Sequence, residues 1–328
     1  MDQITVSFPG LGIGEFQLNK IAFTLFGKLE IRWYGLIITT GIILAVLYCA
    51  YRSAECGVTK DDLLDMALYT VIFGVLGARL YYVLMTLGTH SYKSIIDVFA
   101  IWEGGLAIYG GVIAGASTIC IYCHLKKIRI LSALDMAAPA VMIGQFMGRW
   151  GNFFNGEAYG YEVPEGSPLY FLRMGLIPNV NSSVRMDYFH PTFLYESVWN
   201  VIGFIIINAL FRKRKFNGQI ALMYFTWYGF GRMWIEGLRT DSLYLGVFRV
   251  SQVIGFLCFL ACGILLTVGL IYARRREKAS ESYESCYAKC TSKLSIVKKD
   301  DAAATENNAP AQNAEQVVEG GNENGTEN

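Results

Sequence analysis

The chain has 328 residues; 53% are hydrophobic and only 17% are charged, against about 25% charged in soluble domains. A net charge of +1 gives no bulk attraction for nucleic acid, and the eight cysteines fall largely in apolar runs, where a thiol behaves as a small hydrophobe. These figures argue against a soluble domain, a nucleic-acid binder and a disulfide-stapled scaffold, and for a polytopic membrane protein.

The opening stretch, MDQITVSFPG, lacks the basic and apolar regions of a cleavable signal peptide. Residues 1–30 are weakly amphipathic and are expected to lie along a membrane interface. Seven apolar segments then follow, each near the roughly 20 residues that a spanning helix needs. They cover about 34–52, 64–86, 106–124, 133–151, 193–212, 218–236 and 250–273. Lys126, Lys127 and Arg129 follow the third, RKRK at 212–215 follows the fifth, and Arg274, Arg275 and Arg276 follow the seventh. With seven spans these clusters share one side, which the positive-inside rule makes cytoplasmic. The expectation is an all-α polytopic membrane protein of seven transmembrane helices, with the N-terminus outside and the C-terminus cytoplasmic. Residues 1–279 form the membrane domain, with a small extracytoplasmic subdomain at 152–192. Residues 280–328 are polar, with little to bury, and read as a disordered cytoplasmic tail. Cys120 and Cys123 make a C-x-x-C with no second pair at zinc spacing, so no redox or metal role is expected there.

This topology gathers unusual polar residues at the outer end. Tyr34 opens the first span, Arg79 lies in the outer half of the second, and EGGLAIYGG (103–111) leads into the third. Arg149 and Asn152 close the fourth, HPTFLYE (190–196) leads into the fifth, and Tyr228, Arg232 and Glu236 share one stripe of the sixth, with Arg239 just beyond. An arginine inside a membrane costs about 2.5–3.5 kcal/mol on insertion scales and needs partners or water. Glu157, Glu196 and Glu236 compensate in part, and surplus arginine would bind an anion, in the outer leaflet a phospholipid phosphate. Each residue also has a plainer reading. Arg79 would snorkel or pair structurally, Arg232 and Glu236 would form a structural ion pair, Trp33 and Tyr34 would belong to an aromatic belt, and Gly144, Gly148, Gly111 and Gly115 would allow close helix packing.

The run GRWGNFFNGEAYG (148–160) resembles the signature of the prolipoprotein diacylglyceryl transferase family, G-R-x-G-N-F-x-N-x-E-x-x-G, at Gly148, Arg149, Gly151, Asn152, Phe153, Asn155, Glu157 and Gly160. RWYGL (32–36), GGLAIYGG (104–111), HPTFLYE (190–196) and GRMWIEGLR (231–239) resemble family blocks in the family's order, and the resemblance spans about residues 1–275. It implies seven spans with an outward-facing site in a bacterial cell membrane. It implies transfer of diacylglyceryl from phosphatidylglycerol to the lipobox cysteine of a prolipoprotein signal peptide, with no metal or organic cofactor. In those terms Arg149 and Arg232, with Arg239 beside them, stabilise charge leaving on the phosphate. Asn152, Asn155 and Tyr228 join the lipid-binding set, Glu157 and Glu236 hold the arginines, Gly160 permits a turn, and Tyr34 matches a tyrosine important for activity.

One position departs. Many members read H-G-G where this chain has Tyr109 in IYGG, and that histidine is the usual candidate base. A phenol of pKa about 10 is a poor base. Tyr109 as a phenolate held by arginine, another group such as His190 or a carboxylate, or no strong base at all would each serve. Forming the thiolate costs only about 2 kcal/mol at neutral pH, which favours the last, with Tyr109 positioning substrate by hydrogen bonding. The competing function is a lipid or anion transporter, which would need polar residues in the inner halves; these read as apolar apart from flanking charges and scattered cysteines. A metal-dependent phosphatidyl transferase would need clustered membrane aspartates, whereas Asp61, Asp62 and Asp65 sit at the cytoplasmic start of the second span.

Overall fold

The computed structural model describes residues 2–279 apart from 28, 89–91, 93, 178–185, 241–243 and 247; the expected tail at 280–328 lies outside the described residues. The helices are α1 (Trp33–Cys56), α2 (Lys60–Thr86), the short α3 (Ile95–Phe99), α4 (Ile108–Leu125), α5 (Ile130–Asn155), α6 (Thr192–Phe211), α7 (Gln219–Ile235) and α8 (Val250–Ala279). Six of them are long and apolar enough to cross a membrane: α1, α2, α4, α5, α6 and α8. The remaining expected segment is α7, 17 residues long and continued by a 3-10 turn, Glu236–Leu238.

Helix α5 is central, packed against α1, α6 and α7; α2 pairs with α4, and α8 lies along α7. Glycine brings helices together at the expected Gly111 and Gly115 of α4, where a Cβ would lie 3.5 and 3.4 Å from α2, and more tightly at other positions. A Cβ on Gly229 of α7 would lie 2.6 Å from the Gly255 carbonyl of α8, and one on Gly77 of α2 would lie 2.9 Å from the Gly110 carbonyl of α4. Gly144 meets nothing within 4 Å. Backbones that close leave no room for a methyl group.

The purely α expectation is corrected by short strands. The four-stranded antiparallel sheet runs β2-β1-β5-β6, built from β1 (Gln3–Phe8), β2 (Ile13–Asn19), β5 (Met174–Ile177) and β6 (Asp187–Phe189). Hairpin β3 (Ile21–Leu25) with β4 (Leu29–Arg32) feeds α1, and hairpin β7 (Tyr244–Leu245) with β8 (Phe248–Arg249) links α7 to α8. The N-terminal stretch is therefore built of strands. Ile4 and Val6 are fully buried, and they pack with Phe8, Met174, Leu176 and Phe193. The stack of Phe153 on Phe193, 4.5 Å between ring centroids, joins this small core to the ends of α5 and α6.

At the opposite end of the bundle the flanking charges are engaged with one another, joined by Asp135 from within α5. Arg52 and Arg212 pair with Glu55 at 2.7 and 2.8 Å, and Arg214 donates to the Glu55 carbonyl at 2.5 Å. Asp135 of α5 accepts from the N–H groups of Gly218 and Ala221 at 2.8 and 3.0 Å. Those groups lie at the start of α7, where helix N–H donors lack partners of their own, and Arg214 stands 3.9 Å from the same carboxylate. Asp62 accepts from the hydroxyls of Tyr122 and Thr59, and Thr59 caps α2 by accepting the Asp62 N–H, so these acids serve the fold.

Candidate active site

The last turn of α5 carries Arg149, Asn152 and Asn155, and ends because Gly156 adopts φ 67° and turns the chain out of the helix. Ala158 is also left-handed, φ 56°, and its carbonyl accepts from the Thr192 hydroxyl at 2.5 Å. The chain then runs between two neighbours. Gly160 N–H donates to the His190 carbonyl at 2.9 Å, and Tyr161 N–H donates to the Leu238 carbonyl at 2.8 Å. Gly160 also bridges Arg239 in β fashion. The turn expected at Gly160 is thus made by Gly156 and Ala158. Gly160 is needed for close approach instead: a Cβ there would lie 2.7 Å from both His190 Cβ and the Leu238 carbonyl oxygen.

This arrangement brings three arginines from two helices and a loop around one carboxylate. Glu196, on the second turn of α6, takes Arg149 Nε at 2.9 Å, Arg232 Nη1 at 3.1 Å and Arg239 Nη1 at 3.6 Å. Arg232 Nη2 also pairs with Glu236 at 2.9 Å, one helical turn away. Three guanidiniums thus meet at two carboxylates. Glu196 and Glu236 are nearly buried (8% and 3% side-chain exposure), while Arg149 keeps 23%. Of the five groups, Arg149 is the one most open to a ligand.

The carboxylate expected at Glu157 plays a different part. Glu157 Oε1 accepts from Asn152 at 2.9 Å and Asn155 at 3.2 Å, and Asn152 in turn accepts from Arg149 at 3.2 Å. Glu157 thus orients the amides, and Glu196 with Glu236 holds the arginines. Glu196 stands in HPTFLYE, but its central place depends on α6 lying against both α5 and α7, which no local pattern reveals.

Three tyrosines surround the knot. Tyr34, in the first turn of α1, packs its ring on Gly151, where a Cβ would meet it at 2.9 Å, and it stands in the field of Glu157 and Arg149. Tyr228 of α7 neighbours Arg232, Glu196, Arg149 and Tyr109. A cavity of about 10 Å³, room for roughly one water, lies among Glu196, Tyr228 and Arg232. Tyr109, 40% exposed, shares a 3.2 Å hydrogen bond with Ser251 of α8.

Arg79 does not join them. It is 4% exposed and donates to the carbonyls of Asp97, Val98 and Gly104 at 2.6 to 2.9 Å, so it closes the segment that leads to Tyr109. His190 is buried, and its Nδ1 lies 3.1 Å from the Tyr195 hydroxyl. Burial holds its pKa below the usual 6.5 and favours the neutral ring. Among the described residues no group of three or more histidine, cysteine, aspartate or glutamate side chains could hold a metal ion.

The family model for prolipoprotein diacylglyceryl transferase matches residues 20–268. A phosphatidylglycerol–prolipoprotein diacylglyceryl transferase of Streptococcus equi subsp. zooepidemicus is 42% identical over 270 residues, covering 81% of this chain and 99% of that protein. One from Streptococcus pneumoniae is 45% identical over 262 residues, covering 79% and 96%. The match takes in both the arginine knot and the signature loop that closes over it, and the chain belongs to the prolipoprotein diacylglyceryl transferase family.

Proposed function

We propose that this protein transfers the diacylglyceryl group of phosphatidylglycerol to the lipobox cysteine of prolipoproteins, at the outer leaflet of a bacterial cell membrane. The observation that carries this reading is the knot of Arg149, Arg232 and Arg239 about Glu196, with Arg149 still partly exposed. The cysteine sulfur forms a bond to the terminal glyceryl carbon as the carbon–oxygen bond to phosphate breaks. The electron pair leaves with the phosphate, the thiol proton goes to solvent or a nearby acceptor, and the products are a thioether and glycerol phosphate. Charge accumulates on the phosphate as the bond breaks. Guanidiniums already oriented by carboxylates stabilise that charge without reorganising.

Arg149 and Arg232 are the leading catalytic groups, with Arg239 beside them. Asn152, Asn155 and Glu157 orient the headgroup side of the site, Tyr34 and Tyr228 line it, and Tyr109 positions substrate at its edge. Seven spans follow if α7, with its 3-10 extension, crosses beside α8. The basic clusters at 126–129, 212–215 and 274–276 then face the cytoplasm, with the C-terminus, and the sheet and signature loop face outward. Residues 1–279 are the catalytic domain and 280–328 a cytoplasmic tail. The transporter reading lacks support from the relatives, and the polar groups at the opposite end are engaged with one another.

The test is transfer in phosphatidylglycerol vesicles. Purified protein is incubated with a lipobox peptide and the peptide mass is followed, with and without chelator. A diacylglyceryl mass gain that needs the peptide cysteine and is lost in Arg149→Ala, with chelator of no effect, supports the reading. No gain from folded protein overturns it, and lipid flux then becomes the assay.

A further inference from the structure

We propose that Arg249 is a positioning residue for the transfer reaction, holding the end of α7 and the signature loop in register; this rests on the site proposed above. The helix that carries Arg232 ends at Ile235 and its 3-10 turn, where the carbonyls of a helix end take donors from outside it and the Glu236 carbonyl already accepts the Arg239 N–H at 3.2 Å. Two side chains, from the end of β8 and the start of α8, add further donors. Gln252 Nε2 donates to the Met233 carbonyl at 2.6 Å, and Arg249 Nη1 donates to the Glu236 carbonyl at 2.8 Å. A cation at this end also complements the helix dipole.

The same guanidinium reaches two further segments. Its Nε donates to the Tyr244 hydroxyl at 2.8 Å and its Nη2 to the Tyr161 hydroxyl at 3.2 Å, and it lies 5.6 and 5.7 Å from those ring centroids. Tyr161 follows Gly160 and is bonded through its backbone to Leu238, the residue before Arg239. One side chain therefore joins the end of α7, the β7–β8 hairpin and the loop after the signature. Two of its three contacts lie beside residues that bear the arginine knot, yet it pairs with no carboxylate of the knot itself. Only a planar fork of several donors satisfies three acceptors in fixed directions; lysine presents a point charge on a flexible stem.

Losing this clip lets Glu236 and Arg239 move relative to Arg149, and a misplacement of about 1 Å can cost on the order of a hundredfold in rate. The experiment measures kcat and KM per folded molecule, with folding judged by melting in detergent, for Arg249→Met, Arg249→Lys, Tyr161→Phe and Tyr244→Phe. Arg232→Lys is the control for the site itself. Arg249→Met is expected to lower kcat by tenfold or more, with KM for the lipobox peptide within about twofold, as befits a group acting on leaving-group geometry. Arg249→Lys should recover melting temperature more fully than kcat, and each phenylalanine variant should show a smaller fall in kcat. If Arg249→Met does not fold, the phenylalanine variants decide. Wild-type kcat per folded molecule in these variants, while Arg232→Lys is inactive, overturns the role of Arg249 alone. A fully active Arg232→Lys overturns the site reading instead.

Discussion

Glu196→Gln gives the most direct test of the arginine knot. The substitution keeps shape and removes one negative charge from the point where Arg149, Arg232 and Arg239 meet, at 2.9, 3.1 and 3.6 Å. Each such pair is worth up to about 4 kcal/mol at the effective dielectric of a protein site. Removing one partner from a nearly buried pair typically costs about 3–5 kcal/mol, because the remaining charge is left uncompensated. The three guanidiniums then repel one another and separate. A phosphodiester entering the site becomes their replacement counterion. Ground-state binding of phosphatidylglycerol is therefore expected to hold or tighten, while the arrangement that favours the departing phosphate is lost. Forfeiting about 3 kcal/mol of that stabilisation lowers kcat on the order of a hundredfold. The assay is initial rate against phosphatidylglycerol fraction in mixed vesicles, with saturating lipobox peptide and rates normalised to folded protein. A wild-type kcat in Glu196→Gln, or a KM that rises while kcat is untouched, would refute the view that this carboxylate preorganises the arginines.

Gly160→Ala places a methyl group 2.7 Å from His190 Cβ and the Leu238 carbonyl oxygen, so the loop must shift. A destabilisation of about 1–3 kcal/mol and at least a tenfold loss of transfer are expected; Gly166→Ala, with nothing within 4 Å, is the neutral control. Tyr109→Phe removes only the hydroxyl bonded to Ser251 and should keep activity within about tenfold, and Tyr109→His should remain active; a loss of 10² or more in Tyr109→Phe would instead match the usual size of general-base catalysis. His190 binds its proton more weakly when folded than when unfolded. Its contribution to stability is complete above pH about 6.5 and is lost as pH falls through the lowered folded value, so melting temperature should drop below that pH and His190→Gln should flatten the slope.

The apolar segments, the turn at residue 156 and the chemistry of the signature run are written locally. Lipid-length apolar runs need no partner to be recognised, and a helix that ends in Arg149, Asn152 and Asn155 before a glycine announces a polar mouth. The alternation of Ile4, Val6 and Phe8 was also readable as a strand, although its partner, β5, lies some 170 residues away. Other features depended on contacts between distant segments. The polar cluster at 52, 55, 135 and 214 is spread over three stretches that look apolar or merely flanking when taken singly. Arg79 has the same composition signal as Arg149, but the carbonyls of the segment at 97–104 surround it and take it out of the site. Glu196 becomes the centre of the knot because α5, α6 and α7 converge at one end, and Arg249 becomes a clip because the end of β8 meets the turn that follows α7. Sequence alone determined which groups reach that end of the bundle, since helical period and span length govern depth. Which carboxylate faces which guanidinium was decided by packing, because a charge separated by one turn, one helix or one loop is the same letter in the chain and a different partner in space.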